Sequence, residues 1–313
     1  MMHASPITLD GSFPAAPPTP QAKAANHDLV RSTPMLPQVK RAPRLTSAEQ
    51  AEELKRRDLR AKLGTVLAPL LGLALLVLLW QLIAQTGGQL PTPGKTWDAA
   101  VKAFADPFYR NGPNDQGIGW NVLSSLQRVA IGFGLAALVG IPAGFVLGRA
   151  PFVHSMFGPI IALLKPVSPL AWLPIGLLVF KAANPAAIWT IFICSLWPMV
   201  INTAVGVRQV PQDYLNVARV LALSEWTVFT RILFPAALPY VLTGVRLSVG
   251  VAWLVIVAAE MLTGGVGIGF WVWDEWNNLN VQHILIAIFV IGIVGLLLEA
   301  ALVMLARRFE YAK

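Results

Sequence analysis

The sequence predicts an all-α fold: a polytopic transmembrane helical bundle of six spans. Two observations predict it. Of 313 residues, 56% are apolar and only 13% are charged, about half the charged share of an ordinary soluble domain. The charges also crowd into the first 62 residues and the last few, leaving between them six apolar stretches at about 66–86, 122–148, 157–180, 186–206, 239–262 and 283–306. Each is near the length of about 20 residues that a bilayer demands. A buried soluble core accounts for one such stretch, not six.

Residues 1–45 are rich in Pro, Ala, Ser and Thr, as in Ala15-Ala16-Pro17-Pro18-Thr19-Pro20. Such a segment buries too little apolar surface to offset its ordering entropy, so disorder is expected. Residues 46–64 read as a charged helix, with Ser47 and Gln50 spaced as in a capping box. It leads into the membrane as a solvated helix, or meets lipid headgroups or an ATPase. Residues 65–118 hold the first span and a long loop, and 119–308 the remaining spans. No secretory signal is expected, since no charged start is followed at once by a short apolar core. Cys194 is the single cysteine, and His3, His27, His154 and His283 are scattered. That excludes a disulfide framework and any familiar metal-ligand spacing.

Within the second span, Gly140, Gly144 and Gly148 make two overlapping small-xxx-small steps. Such positions let backbones approach closely, either inside one subunit or at a dimer seam. The third span carries Pro166, Pro169 and Pro174. It should be kinked or broken, its freed carbonyls met by neighbouring helices.

Orientation follows from Lys and Arg in the connections. With the N-terminus inside, the inner segments hold seventeen basic residues and the outer ones only Lys95, Lys102, Arg110 and Lys181. Both termini are therefore expected in the cytoplasm. The net charge of +8 reads as this bias rather than as a nucleic-acid surface. Loops 87–121 and 263–282 then face outward. The Gly264–Gly269 run follows an apolar helix and lacks the downstream Lys-Ser/Thr of a phosphate loop, so a tight turn is expected there. Trp271, Trp273 and Trp276 just beyond the fifth span serve as interfacial anchors, as a docking surface, or as an outer gate.

The connection 207–238 falls inside. Pro211 suits a helix start and Ser224 a second cap, while Pro235 and Pro239 should end that short helix and begin the next span. A compact helix-turn-helix results, with Val217, Val220 and Leu221 on neighbouring positions, suited to insertion into a partner's groove. A re-entrant linker fits the bare pattern nearly as well.

Arg128, Lys165, Arg246 and Glu260 lie at membrane depth, where an ionisable group costs about 2.5–3.5 kcal/mol and marks a functional or paired position. Arg128 or Arg246 could line the path of a small anion, with Glu260 balancing the charge. Alternatively Arg246 and Glu260 pair structurally, and Arg128 and Lys165 snorkel to the interfaces.

Residues 207–238 also resemble the cytoplasmic loop of importer-type permeases of ATP-binding-cassette transporters. That loop reads Glu-Ala-Ala, then Gly after three residues, then Ile-x-Leu-Pro. Here Asn216-Val217-Ala218 falls on the first element, Ala222 on the Gly, and Ile232-Leu233-Phe234-Pro235 on the last. The resemblance spans about 90–310. Within the nitrate, taurine and aliphatic sulfonate group it includes Ser125–Phe133, Lys165–Pro174 and Thr243–Ser248, and Ala259–Asn278 looks most like the nitrate branch. It implies a type I (MetI-like) importer permease carrying nitrate or nitrite, or else taurine or another alkanesulfonate, cyanate or bicarbonate. It implies a bacterial inner-membrane location, a permease homodimer, two cytoplasmic ATPase subunits and a periplasmic solute-binding protein. Asn216, Val217, Ala218, Ala222, Ile232 and Pro235 would couple to the ATPases, which would bind ATP and magnesium; this chain would need no cofactor, metal or catalytic residue of its own. An ion-coupled secondary transporter would instead show inverted repeats and several membrane carboxylates. A membrane hydrolase would need a nucleophile elbow or a metal motif, and neither is present.

Overall fold

The computed structural model describes residues 47–310, with side chains for residues 64–308 other than Val66. The expectation of disorder for 1–45 and the capping-box side chains lie outside the described residues. The chain divides into two compact units, Met1–Pro69 and Leu70–Lys313. Of the first, only the start of helix α1 (Ser47–Gln85) is described. The charged helix expected at 46–64 is thus not a separate element but the first turns of α1.

All remaining elements of the second unit are helical. They are α2 (Pro93–Ala103), α3 (Ile118–Arg149), α4 (Pro151–Leu164), α5 (Pro169–Phe180) and α6 (Ala183–Arg208). Then come α7 (Gln212–Val220), α8 (Glu225–Val228), a π-turn at Phe229–Leu233, α9 (Phe234–Thr263), α10 (Ile268–Asn277) and α11 (Val281–Glu310). Among the described residues, five stretches are long and apolar enough to cross a bilayer: Leu67–Gln85, Ile118–Arg149, Ala183–Arg208, Glu225–Thr263 and Val281–Arg308. The third expected span is α4 and α5, bent by 101°. Pro166 and Pro169 supply no N–H there, and Ser168 caps α5 by accepting from the Leu170 amide at 3.3 Å. Counting that pair as one span gives six.

At the core α6 packs between α3 and α9, and its pairings with those two are the most extensive among the described residues. The glycine stripe explains the first of them. A Cβ at Gly132, Gly144 or Gly148 would come within 2.9, 2.8 and 2.8 Å of the carbonyl oxygens of Ile188, Val200 and Ala204. Ala136 continues the stripe, fully buried. Lipid offers no hydrophobic drive for helix association, so close backbone approach supplies the packing. Of the two readings left open for this stripe, α3 uses it within the chain, against α6.

Two short helices were not anticipated. The loop 87–121 folds α2, capped by Thr92, and the glycine run leads into α10. Gly264 (φ 76°) and Gly265 (φ 91°) occupy left-handed conformations that a side chain would strain.

Helix α8 does not end at Pro235, as the sequence suggested. It passes through the π-turn into α9, making one helix from Glu225 to Thr263. The Phe234 amide reaches back to the Phe229 carbonyl. A π-turn leaves the ladder one donor short, and Pro235 at the next position has no donor to leave unpaired.

Candidate functional site

Two constellations stand at opposite ends of α9. The first is a protruding loop. Helix α7 begins after Pro211 and ends in a Schellman motif. The Leu223 amide donates to the Ala218 carbonyl (3.0 Å) and the Ala222 amide to that of Arg219 (3.0 Å). Ala222 takes the left-handed conformation, φ 50°, the geometry that favours glycine at this point. Ser224 then caps α8, accepting from the Thr227 amide at 3.2 Å.

Ala218 is 3% exposed and packs beneath the loop with Val210, Val228, Leu233 and Ala237. The opposite face of α7 is apolar and open: Tyr214, Val217, Val220 and Leu221 are exposed, Val220 to 85%. Their i, i+3, i+6, i+7 spacing forms one stripe. Asn216 is exposed and accepts from Arg219 at 2.5 Å. Ile232, in the π-turn, packs beneath the loop, whereas Pro235, just after that turn, is exposed. Of the residues expected to couple, Val217 thus stands on the outer face, Ala218 and Ile232 form its footing, and Pro235 is exposed beside the π-turn. An Asp at Ala218 would unfold that footing and would not report on docking.

The second constellation is a buried ion pair. Glu260 on α9, 1% exposed, accepts from Arg128 Nη1 of α3 at 2.5 Å and from Ser125 Oγ at 2.7 Å. It also accepts from the Gly269 amide at 3.0 Å. Ser125 Oγ in turn accepts from the Ile268 amide (2.9 Å), and Asn121 Oδ1 from the Gly267 amide (2.9 Å). Three consecutive amides at the start of α10 are therefore held by side chains from α3 and α9. Such amides are the unsatisfied donors of a helix N-terminus, and a carboxylate is their favoured partner. Gly269 is required by close approach: a Cβ would lie 2.9 Å from Glu260 Cβ.

Arg128 adds a bond to the Val266 carbonyl (2.7 Å) and one from Nε to Asn184 Oδ1 (2.7 Å). Its side chain keeps 13% exposure. The structure brings together Arg128 and Glu260 but not Arg246, which pairs with Glu299 of α11. The expected Arg246–Glu260 pair is therefore replaced by two others. Fourteen residues on one helix are about 21 Å apart, too far for one salt bridge, and α3 and α11 each supply the nearer partner. Lys165 is exposed at the α4–α5 corner. Trp271 packs into the core and stacks on His283, whereas Trp273 and Trp276 are exposed.

Sequence reasoning missed Asn121, Ser125 and Asn184 as partners. A signal for two of them exists: Asn121, Ser125 and Arg128 recur at i, i+4, i+7 on an apolar helix, one polar face in an otherwise lipid-compatible span.

Comparison with known proteins agrees with this architecture. Residues 138–311 match the family described as "Binding-protein-dependent transport system inner membrane component". The chain is 48% identical over 235 residues to the nitrate import permease protein NrtB of Synechocystis sp., covering 75% of this chain and 86% of that protein. It is 46% identical over 252 residues to the bicarbonate transport system permease protein CmpB of Synechocystis sp., covering 79% and 90%. Among solved structures, an inward-facing MetNI methionine ABC transporter chain superposes with a TM-score of 0.54 at 14% identity, covering 60% of this chain and 94% of that one. The long apolar helices, the protruding loop and these matches identify the chain as a member of the binding-protein-dependent transport system inner membrane component family, the membrane-spanning permeases of ATP-binding-cassette importers.

Proposed function

We propose that this permease carries a small planar inorganic oxyanion, nitrate or nitrite foremost, inward across the bacterial inner membrane. It would do so as a homodimer with two cytoplasmic ATPase subunits and a periplasmic solute-binding protein. The observation that carries the coupling is the open apolar stripe Tyr214–Val217–Val220–Leu221 over a rigid footing. An apolar helix face exposed to water needs a groove to cover it. Both termini and this loop are assigned to the cytoplasm by the excess of basic residues on their side. ATP and its magnesium would bind in the partners, this chain contributing neither cofactor nor catalytic residue.

For the cargo, the relatives' names divide between nitrate and bicarbonate at 48% and 46% identity. Both are single-charge trigonal oxyanions, so one path chemistry serves either. In this reading Arg128 lines the path and Glu260 positions it, while Arg246 anchors α11 to α9. The partly exposed Arg128 guanidinium, clamped through Nε and one Nη, supports that division.

The test is co-purification with the ATPase subunits. Val220→Asp should abolish capture and labelled-nitrate uptake while leaving the unfolding midpoint of the permease unchanged. Retained capture by a Val217→Asp/Val220→Asp double variant would refute the docking role. Uptake of labelled bicarbonate in preference to nitrate, with the cognate binding protein, would move the cargo to the second reading.

A further inference from the structure

A cavity of about 530 Å³ lies under α7, where α3 and α6 end and α4 begins. Arg149, Arg208 and Arg219 line it, each from the last turn of its helix, together with His154. The only carboxylate among its lining residues is Glu225, already bonded to Arg149. Three guanidinium charges therefore face one carboxylate, an excess of two positive charges around a single void.

The hydrogen bonds sharpen this. Among the described residues, the bonds of these arginines use Arg149 Nη2, Arg208 Nε and Nη1, and Arg219 Nη2. The other five guanidinium nitrogens remain for a ligand. Arg208 can only donate, so His154 Nε2 accepts from it at 2.8 Å and the imidazole proton sits on Nδ1. That Nδ1 is buried without a hydrogen-bond partner.

We infer that this cavity binds a phosphate-class oxyanion and thereby ties α7 to the ends of α3 and α6. Arginine forks match the paired oxygens of phosphate, and basic pockets between spanning helices take phosphate headgroups. The level of the cavity, where two spans terminate, is open to an anionic lipid headgroup as well as to dissolved phosphate.

The full-length chain, purified in detergent, distinguishes the sources. Native mass spectrometry after incubation with phosphatidylglycerol or phosphatidylcholine reads a headgroup, and equilibrium dialysis against labelled orthophosphate reads the free ion. Wild type should retain phosphatidylglycerol over phosphatidylcholine, bind orthophosphate saturably, or both. Arg208→Gln/Arg219→Gln should weaken that binding by at least about tenfold, and Arg231→Gln, outside the cavity, should not. Should the double variant fail to fold, Arg219→Gln alone, at an exposed position, gives the same reading. Lipid retention alone assigns a headgroup and phosphate binding alone a soluble ion. Binding of neither by wild type, or equal binding by wild type and the cavity variants, overturns the inference.

Discussion

Removing the charge of Glu260 tests the buried site most directly. Glu260→Gln keeps the side chain's shape but leaves Arg128 charged, 13% exposed and without its carboxylate. It also sets an amide N–H₂ among groups that donate: Ser125 Oγ, Arg128 Nη1 and the Gly269 amide. Breaking a buried pair from one side costs about 3–5 kcal/mol. Arg128→Gln, the mirror change, strands the Glu260 carboxylate and should cost a similar amount. The double variant strands neither charge and keeps amide groups able to bond each other. Its cost should therefore be about 2–4 kcal/mol less than the sum of the singles. Denaturant titration of the full-length chain in micelles, followed by tryptophan fluorescence, measures all three. Additivity within about 0.5 kcal/mol would refute the reasoning, because the two charges would then not sense each other.

Three further outcomes are expected. Ala222→Gly should relieve the left-handed strain of about 1–2 kcal/mol, partly offset by about 0.4–1 kcal/mol of unfolded-chain entropy; slower hydrogen exchange at the Leu223 amide would report it. Gly144→Val drives a side chain toward the Val200 carbonyl and should cost at least about 1–3 kcal/mol. Gly134→Ala on the same helix meets nothing within 4 Å and should not lower the unfolding midpoint. Arg246→Gln should leave anion uptake intact at equal membrane abundance, whereas Arg128→Gln should depress it strongly; the reverse result would return the path to Arg246.

Much of the frame was legible in the chain because bilayer physics leaves few options. Apolar length fixes a span, prolines at 166 and 169 fix the break before α5, and a four-residue glycine period fixes a close face. The remainder depended on tertiary geometry. Whether Gly140, Gly144 and Gly148 meet a neighbour in the chain or a second copy cannot be read from α3 alone; the complementary surface lies on α6. Pairing was likewise illegible, since Arg246 and Glu260 share a helix and each found its partner on another. Pro235 misled for a local reason: the rule that proline ends a helix assumes an α ladder, and a π-turn just before it removes the conflict. The loop motif was read on its residue types, but the division into outer face and footing needed burial. Ala218 and Val217 are chain neighbours with opposite exposures.

The unbroken helix from Glu225 to Thr263 has a mechanical consequence. Its near end is stitched to the loop that carries α7, and Glu260 near its far end clamps the first amides of α10. Thirty-five residues at 1.5 Å each make a lever arm of about 50 Å, so a tilt of roughly 5° at the loop would sweep the far end through about 4 Å. A displacement of that size rivals the width of a dehydrated oxyanion. One rod can then throw the latch on α10 in step with whatever seizes the loop, with no relay of side chains through the membrane.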